Sequence, residues 1–412
     1  MSDDLTPDWS DYDHLKMAAM DDPVAYLAGL RSQCPVGHSN QHGGFYILTK
    51  YADCVAAARD PRLSSSPDKG PGPGFPYGDV HNSQLQMPMI SDDGARHRDF
   101  RMQAQRIFSP KFARDQEGII RAICDELIDS FIETGAADLA DQYSIELPAV
   151  LMADLLDLPH HRRREFQLWG SDLVATGNVE SLTKMIDYTT ELYDLRRANP
   201  GNDIASQVLD FAIEGRPITR DEWRGLVLVI ILGGLDTTAN AGGYAFNMIG
   251  RQPEVRKFML DDLSRIPGTV QEFVRFISPV PQHSRGVTED LEINGCPFRK
   301  GDVVQLNWLA ANRDPEAFNE PDSFKPDRKL SHHVGFGHGP HLCLGRHLAI
   351  VELEVMLERV LARLPDYQVV EGGTERFPSL NRGMSHMRVT FTPGRKLANG
   401  VPGLEGDRHA HA

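Results

Sequence analysis

The stretch Phe336-Gly337-His338-Gly339-Pro340-His341-Leu342-Cys343-Leu344-Gly345-Arg346-His347-Leu348-Ala349 sets glycines, a proline and a cysteine in front of a long amphipathic run. Glycine admits turns closed to other residues and lets the backbone approach a flat partner closely. The helix that follows offers N–H groups and a positive partial charge to an anion at its N-terminus. A thiolate at Cys343 is therefore expected to be stabilised there, with a lowered pKa, and to serve as a soft ligand for iron. Two other readings stand beside this one. Cys343 would serve equally as a small buried hydrophobe, or as part of a zinc site drawing on His332, His333, His338 and His341. Zinc is weakened by the lack of a C-x-x-C partner and by histidine spacings that match no common finger.

Outward from this stretch, helical periodicity dominates. Leu353, Leu357, Val360, Leu361 and Leu364 predict a core helix ended by Pro365. Ile120, Ile123, Leu127, Ile128 and Phe131 predict another, with Gly135 as its C′ residue. A third opens at Thr219, where Glu222 completes a capping-box pattern, and runs to about Gly250. Its middle is nearly all apolar, so it is expected to cross the interior. Within it, Gly233-Gly234-Leu235-Asp236-Thr237-Thr238 asks for an explanation, since each helical glycine costs about 1 kcal/mol. Strand patterns are short, at 44–48, 291–293, 303–306 and 387–391, and the fold class is mainly α with small β-sheets.

Of the 412 residues, 41% are apolar and 25% charged, enough to bury a large core without disulfides. A net charge of −15 argues against nucleic acid or an anionic membrane as the main partner. Cys34, Cys54, Cys124, Cys296 and Cys343 lie at wide spacings, the usage of a reducing compartment. The N-terminus is acidic and polar, and the apolar run 226–235 is too short to span a bilayer. A cytoplasmic protein without a membrane anchor is expected. One domain is read over 1–395, with a mobile Gly/Pro-rich loop at 65–88 suited to substrate access and a disordered tail at 396–412.

The cysteine stretch resembles the cytochrome P450 family, whose pattern F-G-x-G-x-H-x-C-x-G-x-x-L-A is met at every fixed position from Phe336 to Ala349. Other segments agree. Gly233 to Thr238 match the family's oxygen-activation motif. Glu272 and Arg275 match its E-x-x-R pair, with Arg328 of Phe324-Lys325-Pro326-Asp327-Arg328 as the completing arginine. His97-Arg98-Asp99-Phe100-Arg101 keeps its H-x-x-x-R, and Arg285 follows Arg275 at the usual distance. The resemblance spans roughly 22–391. The oxygen motif and cysteine loop are similar to those of the camphor-hydroxylating bacterial type, although nothing in the loop 65–88 carries that substrate over.

The resemblance implies a P450 fold with haem b between the long central helix and the cysteine-loop helix. It makes Cys343 the proximal iron ligand, whose electron donation favours O–O cleavage. Phe336, Gly337 and Gly345 then shape the loop against the haem, and His97, Arg101, Arg285 and His341 pair with the propionates. Asp236 and Thr237 supply a proton route for O2 activation. Glu272, Arg275 and Arg328 form a structural ion-pair cluster. Family topology puts substrate contacts at Val229, Leu232, Gly233, Pro281, Gln282, Met384, Ser385, Phe75, Met87 and Met89, a mainly apolar pocket.

The implied function is that of a monomeric monooxygenase that oxidises a small apolar substrate with O2. No flavin or iron–sulfur segment is left over, so electrons are expected from a ferredoxin and its NAD(P)H-dependent reductase. Arg98, Arg101, Arg106, Lys111, Arg114 and Arg346 are the candidate docking cations. Two rivals are a peroxide-driven haem-thiolate enzyme and a non-catalytic haem sensor. The Asp236-Thr237 pair argues against the first, and the lack of any segment resembling an output or DNA-binding domain against the second.

Overall fold

The computed structural model describes residues 8–20, 22–66, 87–176, 178–330, 332–376 and 381–397. Most of the loop read at 65–88, including Phe75, and the tail from 398 onward lie outside the described residues.

The molecule is organised on the helix Arg220–Arg251. It opens with the expected capping box: the Thr219 hydroxyl accepts from the Glu222 N–H, and the Glu222 carboxylate accepts from the Thr219 N–H at 2.8 Å. Leu226, Val227, Leu228, Ile231, Phe246 and Ile249 are all buried, so the helix passes through the core. By length and composition the whole helix could cross a membrane, but 72% of its most apolar window is buried inside the protein. Around it pack the helices Glu146–Leu156, Arg163–Thr176, Val179–Ala198, Ile266–Ile277 and Arg346–Arg363.

The helix Arg346–Arg363 stops at Leu364, directly before Pro365, as the sequence predicts. The helix Glu117–Phe131 ends earlier than expected, and Gly135 is not its C′ residue. Gly135 takes φ +75° where the chain turns into the strand Ala136–Asp138, and a Cβ there would stand 3.3 Å from the Phe391 carbonyl oxygen. Close approach to a neighbouring strand, and not helix capping, is its role.

The described residues form four small sheets. The predicted strands appear as Phe45–Leu48, Leu291–Ile293, Val303–Asn307 and Met384–Thr390. In the largest sheet Gln282–Val287 runs antiparallel to Val303–Asn307, with His283 opposite Leu306 and Arg285 opposite Val304. The period of two puts His283 and Arg285 on one face, where both line the cavity described next.

Candidate active site

The cysteine loop takes its shape from its glycines. Gly337 and Gly339 have φ of +73° and +71°, and a Cβ on Gly339 would stand 2.5 Å from the Ala58 carbonyl oxygen. The Cys343 N–H donates to the Phe336 carbonyl at 2.9 Å, closing the turn. The Glu272 carboxylate receives Arg275 at 2.7 and 2.8 Å and Arg328 at 3.1 Å, with Glu272 and Arg275 fully buried. Arg275 also donates to the Asn312 carbonyl at 2.7 Å, while the Asn312 side chain accepts from the Val334 N–H at 2.8 Å. Asn312 thus ties the ion-pair cluster to the start of the cysteine loop, and the buried charges have the hydrogen bonds that such a pair requires.

Burial pushes the Cys343 thiol up from its ordinary value, opposed by the N–H groups of Gly345 and Arg346 and by the guanidiniums of Arg101 and Arg346. The lowered value expected from the helix N-terminus is therefore corrected. Desolvating a thiolate in this wall outweighs the amides that face it. A metal cation at the sulfur would supply the missing charge.

A cavity of about 320 Å³ lies between this loop and the central helix, which lends it Val229, Gly233, Thr237 and Thr238. A Cβ added to Gly233 would meet nothing within 4 Å, whereas one on Gly234 would press on Met152 Sδ at 2.7 Å. The first glycine keeps space open; the second allows helix packing. The Thr237 hydroxyl lies on the wall and donates to the Gly233 carbonyl at 2.9 Å. Asp236 does not line the cavity: its Oδ2 accepts from Asn240 and Asn381, each at 2.9 Å. One residue of helical rotation separates two side chains that the sequence presents as a unit.

Arg101 and Arg285 both line the cavity, and neither forms an ion pair among the described residues. Burial lowers Arg101 and pulls Arg285 down to about 10. His97 is buried with its Nε2 lacking a hydrogen-bond partner among the described residues, and burial, then the charge of His341, lowers it to about 4. The His341 ring is 4.4 Å from that of His97, but its own nitrogens already face protein groups. Nδ1 lies 2.9 Å from the Met89 carbonyl and Nε2 3.5 Å from Asp93. Two unpaired guanidiniums, an orphaned imidazole nitrogen and a thiol around one cavity fit a flat cofactor that carries carboxylates and a soft metal.

Sequence reasoning missed three groups here. His283 accepts from Trp308 Nε1 at 2.8 Å and is lowered by burial to about 3; its alternation with Arg285 was the available signal. Glu352 lines the cavity with Oε2 unpartnered among the described residues, and burial raises it to about 8. An acid among Leu348, Val351, Val355 and Met356 could have drawn notice. Thr238, quoted with the oxygen-activation motif but given no role of its own, is buried in the same wall.

Of the positions read as substrate contacts, Val229, Gly233 and Met89 line the cavity. Leu232, Pro281, Gln282, Met384, Ser385 and Met87 do not. The strand Gln282–Val287 begins at Gln282, which accepts instead from the Tyr12 hydroxyl at 2.9 Å, and Pro279 and Val280 stand in the wall. Ser385 donates to the Glu375 carbonyl, and Met384 packs toward Gly243.

Fold and chamber together define a haem-dependent oxidoreductase. Residues 176–370 match the family model described as Cytochrome P450. The chain is 31% identical, over 85% of its length and 88% of the relative's, to a Steroid C26-monooxygenase of Mycolicibacterium smegmatis. It is 32% identical, over 90% of its length and 94% of the relative's, to a Vitamin D(3) 25-hydroxylase of Pseudonocardia autotrophica. A mutant of P450 EryK in complex with erythromycin B superposes with a TM-score of 0.84 at 27% identity, covering 93% of this chain and 99% of that one. The chain belongs to the cytochrome P450 family: it has the P450 fold, depends on haem b and is a monooxygenase.

Proposed function

We propose that this enzyme hydroxylates a small, mainly apolar substrate in the cytoplasm, acting as a single-domain monomer supplied with two electrons by a ferredoxin and its NAD(P)H-dependent reductase. The observation that carries the reading is the joining, in one cavity wall, of Cys343 with the unpaired Arg101 and Arg285. Cys343 would hold the metal; Arg101, Arg285 and His97 Nε2 would pair with the propionates; Phe336, Gly337 and Gly345 would shape the loop against the cofactor. His341 acts chiefly by fixing the Met89 carbonyl and Asp93 beside them. When bound, the haem supplies dioxygen binding and reductive O–O cleavage, which thiolate ligation favours.

Thr237 presents a hydroxyl to the cavity and passes protons inward, while Asp236, held by Asn240 and Asn381, replenishes them from behind. Val229, Ile230 and Val280 make the remaining wall apolar. Relatives named for a steroid and for vitamin D(3) support the same substrate class.

Among the proposed docking cations, Lys111 pairs with Asp115 and Arg114 with Glu354, whereas Arg98 and Arg106 are exposed and without an ion pair among the described residues. Reversing both, Arg98→Glu with Arg106→Glu, should lower ferredoxin-dependent turnover by about tenfold at low salt and less at high salt. Peroxide-supported turnover should be unchanged. A ferredoxin-dependent rate equal to the wild type would contradict the docking assignment, and product formed only with peroxide would contradict the electron source.

A further inference from the structure

Far along the sequence from the haem chamber, Asp13 and His14, at the start of the helix His14–Ala19, meet His42 from the turn between the strands Val36–Ser39 and Phe45–Leu48. One ligand atom from each residue lies within 4.8 Å of the others. His42 Nε2 is 3.0 Å from Asp13 Oδ1, and the two imidazoles meet edge-on with centroids 4.9 Å apart. His14 is only 7% exposed, yet its Nδ1 has no hydrogen-bond partner among the described residues. His42 is held at φ +51°, uncommon for a residue other than glycine, and this conformation accompanies the approach of its ring to Asp13.

We propose that Asp13, His14 and His42 form a site for a zinc-class divalent cation, with water completing the coordination, that staples the N-terminal segment to the large sheet. Two imidazoles and one carboxylate are the donor set of zinc and its transition-metal neighbours, not of calcium or magnesium. Tetrahedral bonds of about 2.0–2.2 Å place ligand atoms about 3.3–3.6 Å apart, so the cluster closes on an ion by shifts of about 1 Å. Lys16, 3.7 Å from Asp13 and 74% exposed, is displaced without disturbing the core. Next to the site, the Tyr12 hydroxyl donates to Gln282, which opens the strand bearing His283 and Arg285. The staple therefore steadies the sheet that supplies cations to the haem chamber.

The test is equilibrium dialysis of the haem-loaded full chain against zinc sulfate, with zinc per iron counted by elemental analysis. His409, His411 and the exposed Cys34 also offer zinc ligands, so the difference between variants is the readout. The wild type and Cys34→Ser should hold one more zinc per chain than His42→Asn, a substitution that tolerates positive φ. Zinc should raise the thermal midpoint of the wild type by a few degrees and leave that of His42→Asn unmoved. If His42→Asn loses the native haem spectrum, Asp13→Asn serves in its place. Equal zinc in the wild type and the tested variant, or loss of the extra zinc in Cys34→Ser, overturns the site.

Discussion

Arg285 is nearly inaccessible and, among the described residues, donates to the Ser284 carbonyl within its own strand and forms no ion pair, so its charge is desolvated with Asp93 offsetting it only from a distance. Arg285→Met should leave the haem-free protein at least as stable while speeding haem loss to a scavenging protein by about 10–100-fold, the worth of charged hydrogen bonds of about 1.5–3 kcal/mol. Haem loss at the wild-type rate would contradict its pairing with a propionate. Glu352 makes a different residue-scale prediction. Burial raises its pKa from the ordinary value of 4.5 to about 8, so between those limits the folded chain keeps a proton that the unfolded chain has lost. Stability should therefore fall as pH rises across that window. Glu352→Gln should flatten the decline in urea midpoints from pH 5 to 8; identical slopes would show that Glu352 is ionised in the fold.

At the scale of elements, Glu272 on the helix Ile266–Ile277 receives Arg275, Arg328 and the Lys325 N–H, and through Asn312 the cluster reaches the cysteine loop. Glu272→Gln leaves two guanidiniums facing a neutral amide and should cost about 3–5 kcal/mol in chemical denaturation, with haem lost in the same transition. A cost below about 1 kcal/mol, as for an exposed pair, would contradict a buried structural role. The elements themselves were unevenly legible. The Thr219–Glu222 box and Pro365 fixed helix ends because they act through local backbone hydrogen bonds. Gly135 misled because its positive φ answers to Phe391, a residue far along the chain. Short strands such as Ala136–Asp138 exist through their pairing partners and carry little periodicity of their own.

For the whole molecule, the residues that touch the cofactor space were readable where their spacing is rigid, as from Phe336 to Gly345 along one loop. They were less readable where three-dimensional rotation decides, which is why Thr237 reaches the wall and Asp236 does not. His283 entered the chamber through strand register, and Met384 left it through sheet packing; neither is visible before the sheet is assembled. All these parts converge on a single chamber lined by the sulfur atom proposed to hold the metal. The decisive measurement is the reduced carbon monoxide difference spectrum of the haem-loaded wild type beside Cys343→Ser. The wild type should give the long-wavelength band of thiolate-ligated haem, and the serine variant should lose that band together with NAD(P)H-dependent product formation. A serine variant that keeps both would contradict ligation by Cys343.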